Sequence, residues 1–202
     1  MDRLLRPDDL KDLAPAGFHL AFRIGFAFPQ EEENAFPEAW ISHYSQQRFM
    51  LYDPVIRWVY QNTGYVRWSE IDLDDPRRVL GQAQSFGLRY GVAVSYVDNS
   101  TDTLRSFGTF ARGDREFSDL EMRLLSAFIS RRHAEMQPPT NLTSAELEVL
   151  QMIKDGKRIK QIAHDLHVSE GAIKQRLKNA KLKLNANTGT QAAALAARFG
   201  LI

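Results

Sequence analysis

Cysteine is absent from the 202-residue chain, which excludes disulfides, thiolate metal sites and a cysteine nucleophile. No apolar run reaches the ~18–20 residues that cross a bilayer. The charged opening MDRLLRPDDLKDL leads into no apolar signal-peptide region. A cytoplasmic protein with no membrane partner is the expectation. No glycine-rich phosphate loop and no nucleophile elbow occur, so an enzyme signature is lacking. His164 and His167 share a helix face, but no third ligand follows at a useful spacing, and no metal site or cofactor is expected. An excess of one charge is lacking too: 26 Lys and Arg meet 25 Asp and Glu, a net charge of +1.

That balance hides an asymmetry. Residues 1–139 carry 16 Lys and Arg against 20 Asp and Glu, whereas residues 140–202 carry 10 against 5. A small basic module on a larger acidic domain points to a nucleic-acid-binding end. The sign changes at Gln137-Pro138-Pro139-Thr140-Asn141, where two prolines remove backbone donors and disfavour helix before each. The expected organisation is a regulatory domain at 1–136, a linker at 137–141 and a basic domain at 142–202.

The first domain reads as α+β. Every even position from Phe18 to Phe28 is apolar, the period of a strand with one buried face. Gln30 to Asn34 reads as an acidic loop. Pro37 opens a helix carrying Trp40, Ile41 and Tyr44. Asp53-Pro54 reads as N-cap and first helical residue, and Asp75-Pro76 repeats the device before Val79, Leu80, Ala83 and Phe86. Gly91–Val97 and Leu104–Ala111 read as strands around the turn Asp98-Asn99-Ser100. Ser118-Asp-Leu-Glu121 is a capping box for a helix to about His133 with a stripe of Leu120, Leu124, Leu125, Phe128 and Ile129. Regular βα alternation is missing, so an α-β-α sandwich with a central antiparallel sheet is expected.

The basic domain reads as four helices. Thr143-Ser-Ala-Glu146 is a capping box, and Gly156 ends the first helix. A second carries Ile159, Ile162, Ala163 and Leu166. Ser169 caps a third whose core face is Ile173, Leu177, Ala180 and Leu184, and an alanine-rich fourth runs from about Thr190 to Arg198. Two short helices before a longer basic one make a helix-turn-helix. Lys174, Gln175, Arg176, Lys178 and Lys181 lie off the third helix's core face; Lys174 and Lys178 are four apart and share one side, and long cationic side chains can reach guanine acceptors or phosphates in a major groove.

The string LTSAELEVLQMIKDGKRIKQIAHDLHVSEGAIKQRLKNAKLKLN resembles the DNA-binding domain of LuxR-type quorum-sensing regulators. Leu142, Thr143, Glu146, Leu150, Gly156, Ile162, Ala163, Leu166, Ser169, Ile173, Asn179, Lys183 and Leu184 carry the match. Ala145 and Gln161 depart from the family's usual arginine and glutamate. The resemblance implies that Lys174 and Lys178 meet base edges of double-stranded DNA, with Gln175 and Arg176 beside them. It makes Lys160 and Lys181 the candidate phosphate contacts.

Upstream, FPEAWISHYSQQRFMLYDPVIRWVYQNTGYVRW resembles the family's autoinducer-binding domain. Trp40, Tyr44, Asp53, Pro54 and Trp68 stand at the family spacing, and Gly91 comes a few residues early. The resemblance implies an acyl-homoserine lactone ligand. Trp40 donates to the lactone carbonyl, Asp53 accepts from the amide N–H, Tyr44 and Trp68 pack round the head, and Thr109 offers a hydroxyl. Phe36 stands where the family has a tyrosine, and so brings no donor. The resemblance also implies a shortened amino terminus. It further implies a homodimer on an inverted-repeat operator, joined through helix 118–133 and the helix holding Ala192, Ala193, Ala196 and Ala197. A ligand-independent regulator with a collapsed pocket is the alternative reading, and a lactone-processing enzyme a remote one.

Overall fold

A computed structural model describes residues 5–25, 28–98 and 104–202. The chain divides into two compact units, Met1–Met136 and Gln137–Ile202. Among the described residues no helix is long and apolar enough to cross a membrane.

In the first unit, strands β1 (Gly17–Ile24), β2 (Glu31–Asn34), β3 (Gly64–Arg67), β4 (Tyr90–Val97) and β5 (Arg105–Arg112) form one sheet. Its order is β2-β1-β5-β4-β3, and every pairing is antiparallel. The even side chains of β1, Phe18, Leu20 and Phe22, join Val92, Val94 and Phe110 on one face. There they pack against Met122, Leu125, Phe128 and Ile129 of helix α5 (Asp119–Glu135). The short helix α1 (Leu10–Leu13) adds Leu10 to the same cluster. On the other face, Ala21, Ala93 and Phe107 meet Val55 and Val59 of α3 (Pro54–Gln61). Ala111 shares a cluster there with Trp40 of α2 (Glu38–Gln46) and with Val79 and Ala83 of α4 (Val79–Gln84). Because a strand's side chains alternate, a sheet covered on both faces buries both sets, and the unit is the α-β-α sandwich expected.

Several local expectations need correction. The first strand stops at Ile24: Arg23 adopts φ +49° and the pairing register shifts between Ala21 and Ile24. The Arg23 guanidinium is buried beside His133 (3.0 Å) and Asp98 (3.5 Å), a polar anchor that ends the alternation. Phe28 is 81% exposed, while Phe26 lies outside the described residues, as do Asn99 and Ser100 of the expected turn. The acidic stretch Gln30 to Asn34 is no loop: Glu31–Asn34 forms edge strand β2, whose charged side chains suit an edge. The helix after Pro76 begins only at Val79, although Asp75 still caps it through bonds from the Val79 and Leu80 N–H groups (2.7 and 3.0 Å). Leu120 is exposed, and Met122 takes its place in the α5 core face.

The second unit contains α6 (Ser144–Lys154), α7 (Ile159–Asp165), α8 (Glu170–Lys183) and α9 (Gly189–Arg198). The Thr143 N–H donates to Glu146 (2.8 Å) while Thr143 Oγ1 accepts from the Glu146 N–H (3.3 Å), which closes the capping box. Gly156 supplies the left-handed end of α6 at φ +81°. Val149, Ile162, Ala163 and Ile173 tie α6, α7 and α8 together. The alanines of α9 need a second correction. Ala192, Ala193 and Ala196 are buried against Leu150, Ala180 and Leu184 of their own unit, so their small size serves intramolecular packing.

Candidate ligand cavity and nucleic-acid interface

Between the sheet and α2 lies a cavity of about 350 Å³. Its floor is His19 and Ala21 of β1 and Phe107 of β5, and its opposite wall is Phe36, Trp40, Ile41 and Tyr44, with Ile56 of α3. Phe28, Met50 and Tyr60 also line it and are exposed, marking its opening. Two odd positions of β1, His19 and Ala21, are thus cavity floor. The signal in the sequence was the small Ala21 on a strand covered from both sides.

Trp40 is only 6% exposed, and its indole N–H has no hydrogen-bond partner among the described residues. Aromatic rings of Tyr44, Phe49 and Phe86 hold it, with centroids 5.5, 6.1 and 5.4 Å away. Tyr44 donates its hydroxyl to Asp53 Oδ2 (2.8 Å), while Asp53 Oδ1 accepts from the Val55 N–H (2.8 Å). Asp53 is therefore both N-cap of α3 and the anchor of a cavity-wall phenol. Burial pushes its carboxyl up to about 6 despite the Tyr44, Val55 and Ile56 bonds that favour the anion, and the Asp75 charge adds to the rise. Burial, then the neighbouring Asp53 charge, pushes the Tyr44 hydroxyl upward, so it stays a donor.

Trp68 and Thr109 are brought together beside the cavity instead of in its lining. The Trp68 indole Nε1–H donates to Thr109 Oγ1 (3.2 Å). Of the residues expected at the ligand, Phe36, Trp40 and Tyr44 line the cavity, and Asp53, Trp68 and Thr109 stand behind that lining. Gly91 has a steric role: a Cβ there would sit 2.1 Å from the Trp68 ring. Gly91→Ala is expected to cost about 1–3 kcal/mol by overpacking and to release the Trp68–Thr109 bond. Urea unfolding followed by tryptophan fluorescence checks both.

In the second unit, α8 buries Ile173, Ala180 and Leu184 and exposes Lys174, Gln175 and Lys178, with Arg176 and Lys181 half-buried. Its N-cap Ser169 accepts from the Ala172 N–H (3.2 Å). Between α7 and α8, His167 takes the left-handed conformation (φ +52°) that glycine often supplies in such a turn. Among the described residues no carboxylate pairs with Lys160, Lys174, Arg176 or Lys178. Gln175 donates to Asn179 (2.9 Å), and Lys181 to the Asn187 carbonyl (3.3 Å). By contrast Lys183 is spent internally on Glu146 (2.8 Å), and Lys157 pairs with Asp165 (2.8 Å). Lys174 and Lys178, four residues apart on one exposed side of α8 and without a carboxylate partner among the described residues, suit a polyanion.

Comparison with known proteins covers both units. Residues 33–135 match the autoinducer binding domain, and residues 140–196 match the bacterial regulatory proteins of the luxR family. The chain is 29% identical over 193 residues to the HTH-type quorum-sensing regulator RhlR of Pseudomonas aeruginosa, spanning 89% of this chain and 79% of that protein. It is 29% identical over 178 residues to the regulatory protein SdiA of Escherichia coli (83% and 74% covered). With the transcriptional activator protein SolR of Ralstonia nicotianae it shares 30% identity over 185 residues (84% and 77% covered).

Proposed function

The chain belongs to the luxR family of bacterial regulatory proteins, with an autoinducer-binding domain ahead of its helix-turn-helix, and on that premise we propose that an acyl-homoserine lactone in the Trp40 cavity controls its binding to an operator. The observation that carries the reading is the Trp40 indole N–H, a donor in the cavity wall for which no described residue supplies an acceptor. A lactone carbonyl satisfies it. The ligand amide N–H then reaches a lone pair of Asp53 as the Tyr44 side chain in front of it turns aside. Such a charge-assisted bond is worth roughly 1.5–3 kcal/mol. The acyl tail lies over Ala21, Ile56 and Phe107, gaining about 0.8 kcal/mol per buried methylene.

On the DNA side, α8 enters the major groove with Lys174 and Lys178 at base edges and Gln175 and Arg176 beside them. Lys160 and Lys181 hold phosphates. The protein acts as a homodimer on an inverted repeat whose half-sites are one helical turn apart, and the outer face of α5 is its dimer contact. Lys178→Ala is expected to lose ~1–3 kcal/mol of preference for the operator over random duplex, read by competition in fluorescence anisotropy. An equal loss on both duplexes makes Lys178 a phosphate contact instead.

A ligand-independent regulator is the second reading. It is favoured by the bonds Tyr44–Asp53 and Trp68–Thr109, which satisfy these polar groups internally. One experiment separates the two: melting of the full chain with a panel of acyl-homoserine lactones, then selection of inverted-repeat duplexes with and without any lactone that binds. A lactone that binds the folded state raises the melting temperature and alters duplex selection. Unchanged melting with full DNA binding selects the ligand-independent reading.

A further inference from the structure

The cavity floor carries one polar ring that the lactone reading leaves unused. His19 lies in a cross-strand row with Thr109 of β5 and Asn34 of β2, and it lines the cavity with its ring edge-on to Phe107, centroids 5.4 Å apart. Its Nε2 sits 2.8 Å from Glu32 Oε1. A carboxylate only accepts, so the Nε2 atom carries the proton. In the neutral ring that bond fixes the tautomer and leaves Nδ1 as an acceptor. Nδ1 has no hydrogen-bond partner among the described residues.

We propose that His19, oriented by Glu32, makes the cavity selective for an acyl chain that bears a hydroxyl group. Methylenes cannot satisfy the Nδ1 acceptor, and a ketone only adds a second acceptor opposite it. A hydroxyl donates to it. Ala21, Ile24 and Phe107 beside it are apolar and offer such a hydroxyl no other partner. The inference rests on the reading of the cavity as an acyl-homoserine lactone site and adds the chemistry of the tail.

The test is calorimetric titration of the full chain with three probes of one length: N-octanoyl, N-(3-oxooctanoyl) and N-(3-hydroxyoctanoyl) homoserine lactone. The hydroxylated probe is expected to bind about tenfold more tightly than the other two, the factor that one good hydrogen bond supplies. His19→Phe, which keeps an aromatic ring beside Phe107, is expected to abolish that preference. Glu32→Ala, at a half-exposed side chain, frees the tautomer and is expected to reduce it without loss of fold. Equal binding of all three probes, a preference for the ketone, or a preference that survives in both variants overturns the role of His19 while leaving the lactone site intact. Binding of none of the three overturns the lactone reading and this inference with it.

Discussion

Lys183→Ala is expected to destabilise the DNA-binding unit by about 3 kcal/mol, because it strands a buried carboxylate. Glu146 is only 4% exposed, and Lys183 Nζ lies 3.0 and 2.8 Å from its two oxygens while also donating to the Asn141 carbonyl (2.7 Å). Burial alone pushes the Glu146 carboxyl up, but the bonds from Lys183 and Thr143 outweigh it and hold the group below the usual range. A depressed value means stability that is present above the unfolded value of 4.5 and lost as the pH falls through the folded one. Acid is therefore expected to weaken this unit, and Lys183→Ala to remove that pH dependence together with the stability. Natural domains are marginal at ~0.05–0.15 kcal/mol per residue, so a unit this small loses much of its margin. Trp40, Trp58 and Trp68 all lie in the first unit. Far-ultraviolet circular dichroism then follows both units during urea unfolding, and tryptophan fluorescence follows the first alone. A dichroism midpoint that stays put in Lys183→Ala would show the pair to be a solvated contact.

The same contrast between local and long-range interactions decides what could be read without coordinates. Caps and helix stripes were legible because their partners lie two to four residues apart: Ser118 with Glu121, Thr143 with Glu146, Asp53 with Val55. Strand β2 was not, since Glu31–Asn34 lacks strand propensity and holds its place through pairing with β1 and an Arg132–Glu31 ion pair 101 residues apart (3.0 Å). Strand β3 is not legible either, because four residues are too few for a periodic pattern. At the cavity, Trp40 and Tyr44 were legible as one helical turn. His19 and Glu32 were not, because only the β1–β2 pairing makes them neighbours. Asp53 was legible as a cap and as a ligand group; its bond to Tyr44, nine residues away, makes it a third thing, the support of the cavity wall.

Asp53→Asn is expected to raise the stability of the first unit at pH 8 by up to about 3 kcal/mol while weakening lactone binding. The carboxyl's ordinary value of 3.8 rises to about 6 in the fold, chiefly through burial. A raised value means that its contribution is complete below the unfolded value and is lost as the pH climbs through the folded one. The interval is worth about 3 kcal/mol. Wild-type protein should thus gain stability between pH 7 and pH 4 from this group, opposite in sign to Glu146. Asparagine is as good an N-cap as aspartate, so Oδ1 keeps the Val55 bond, and Nδ2 donates to the Tyr44 oxygen in place of the bond that Tyr44 gave. The fluorescence-detected difference in stability between variant and wild type should accordingly shrink as the pH falls over that interval. A loss of stability at every pH would mean that the carboxylate's cap and Tyr44 bonds outweigh its burial. Lactone affinity should fall by roughly 1.5–3 kcal/mol, the value of a charge-assisted bond. Unchanged affinity would remove Asp53 from the ligand. A buried carboxylate that costs stability at neutral pH and can be replaced by a neutral isostere is the behaviour of a group retained for binding.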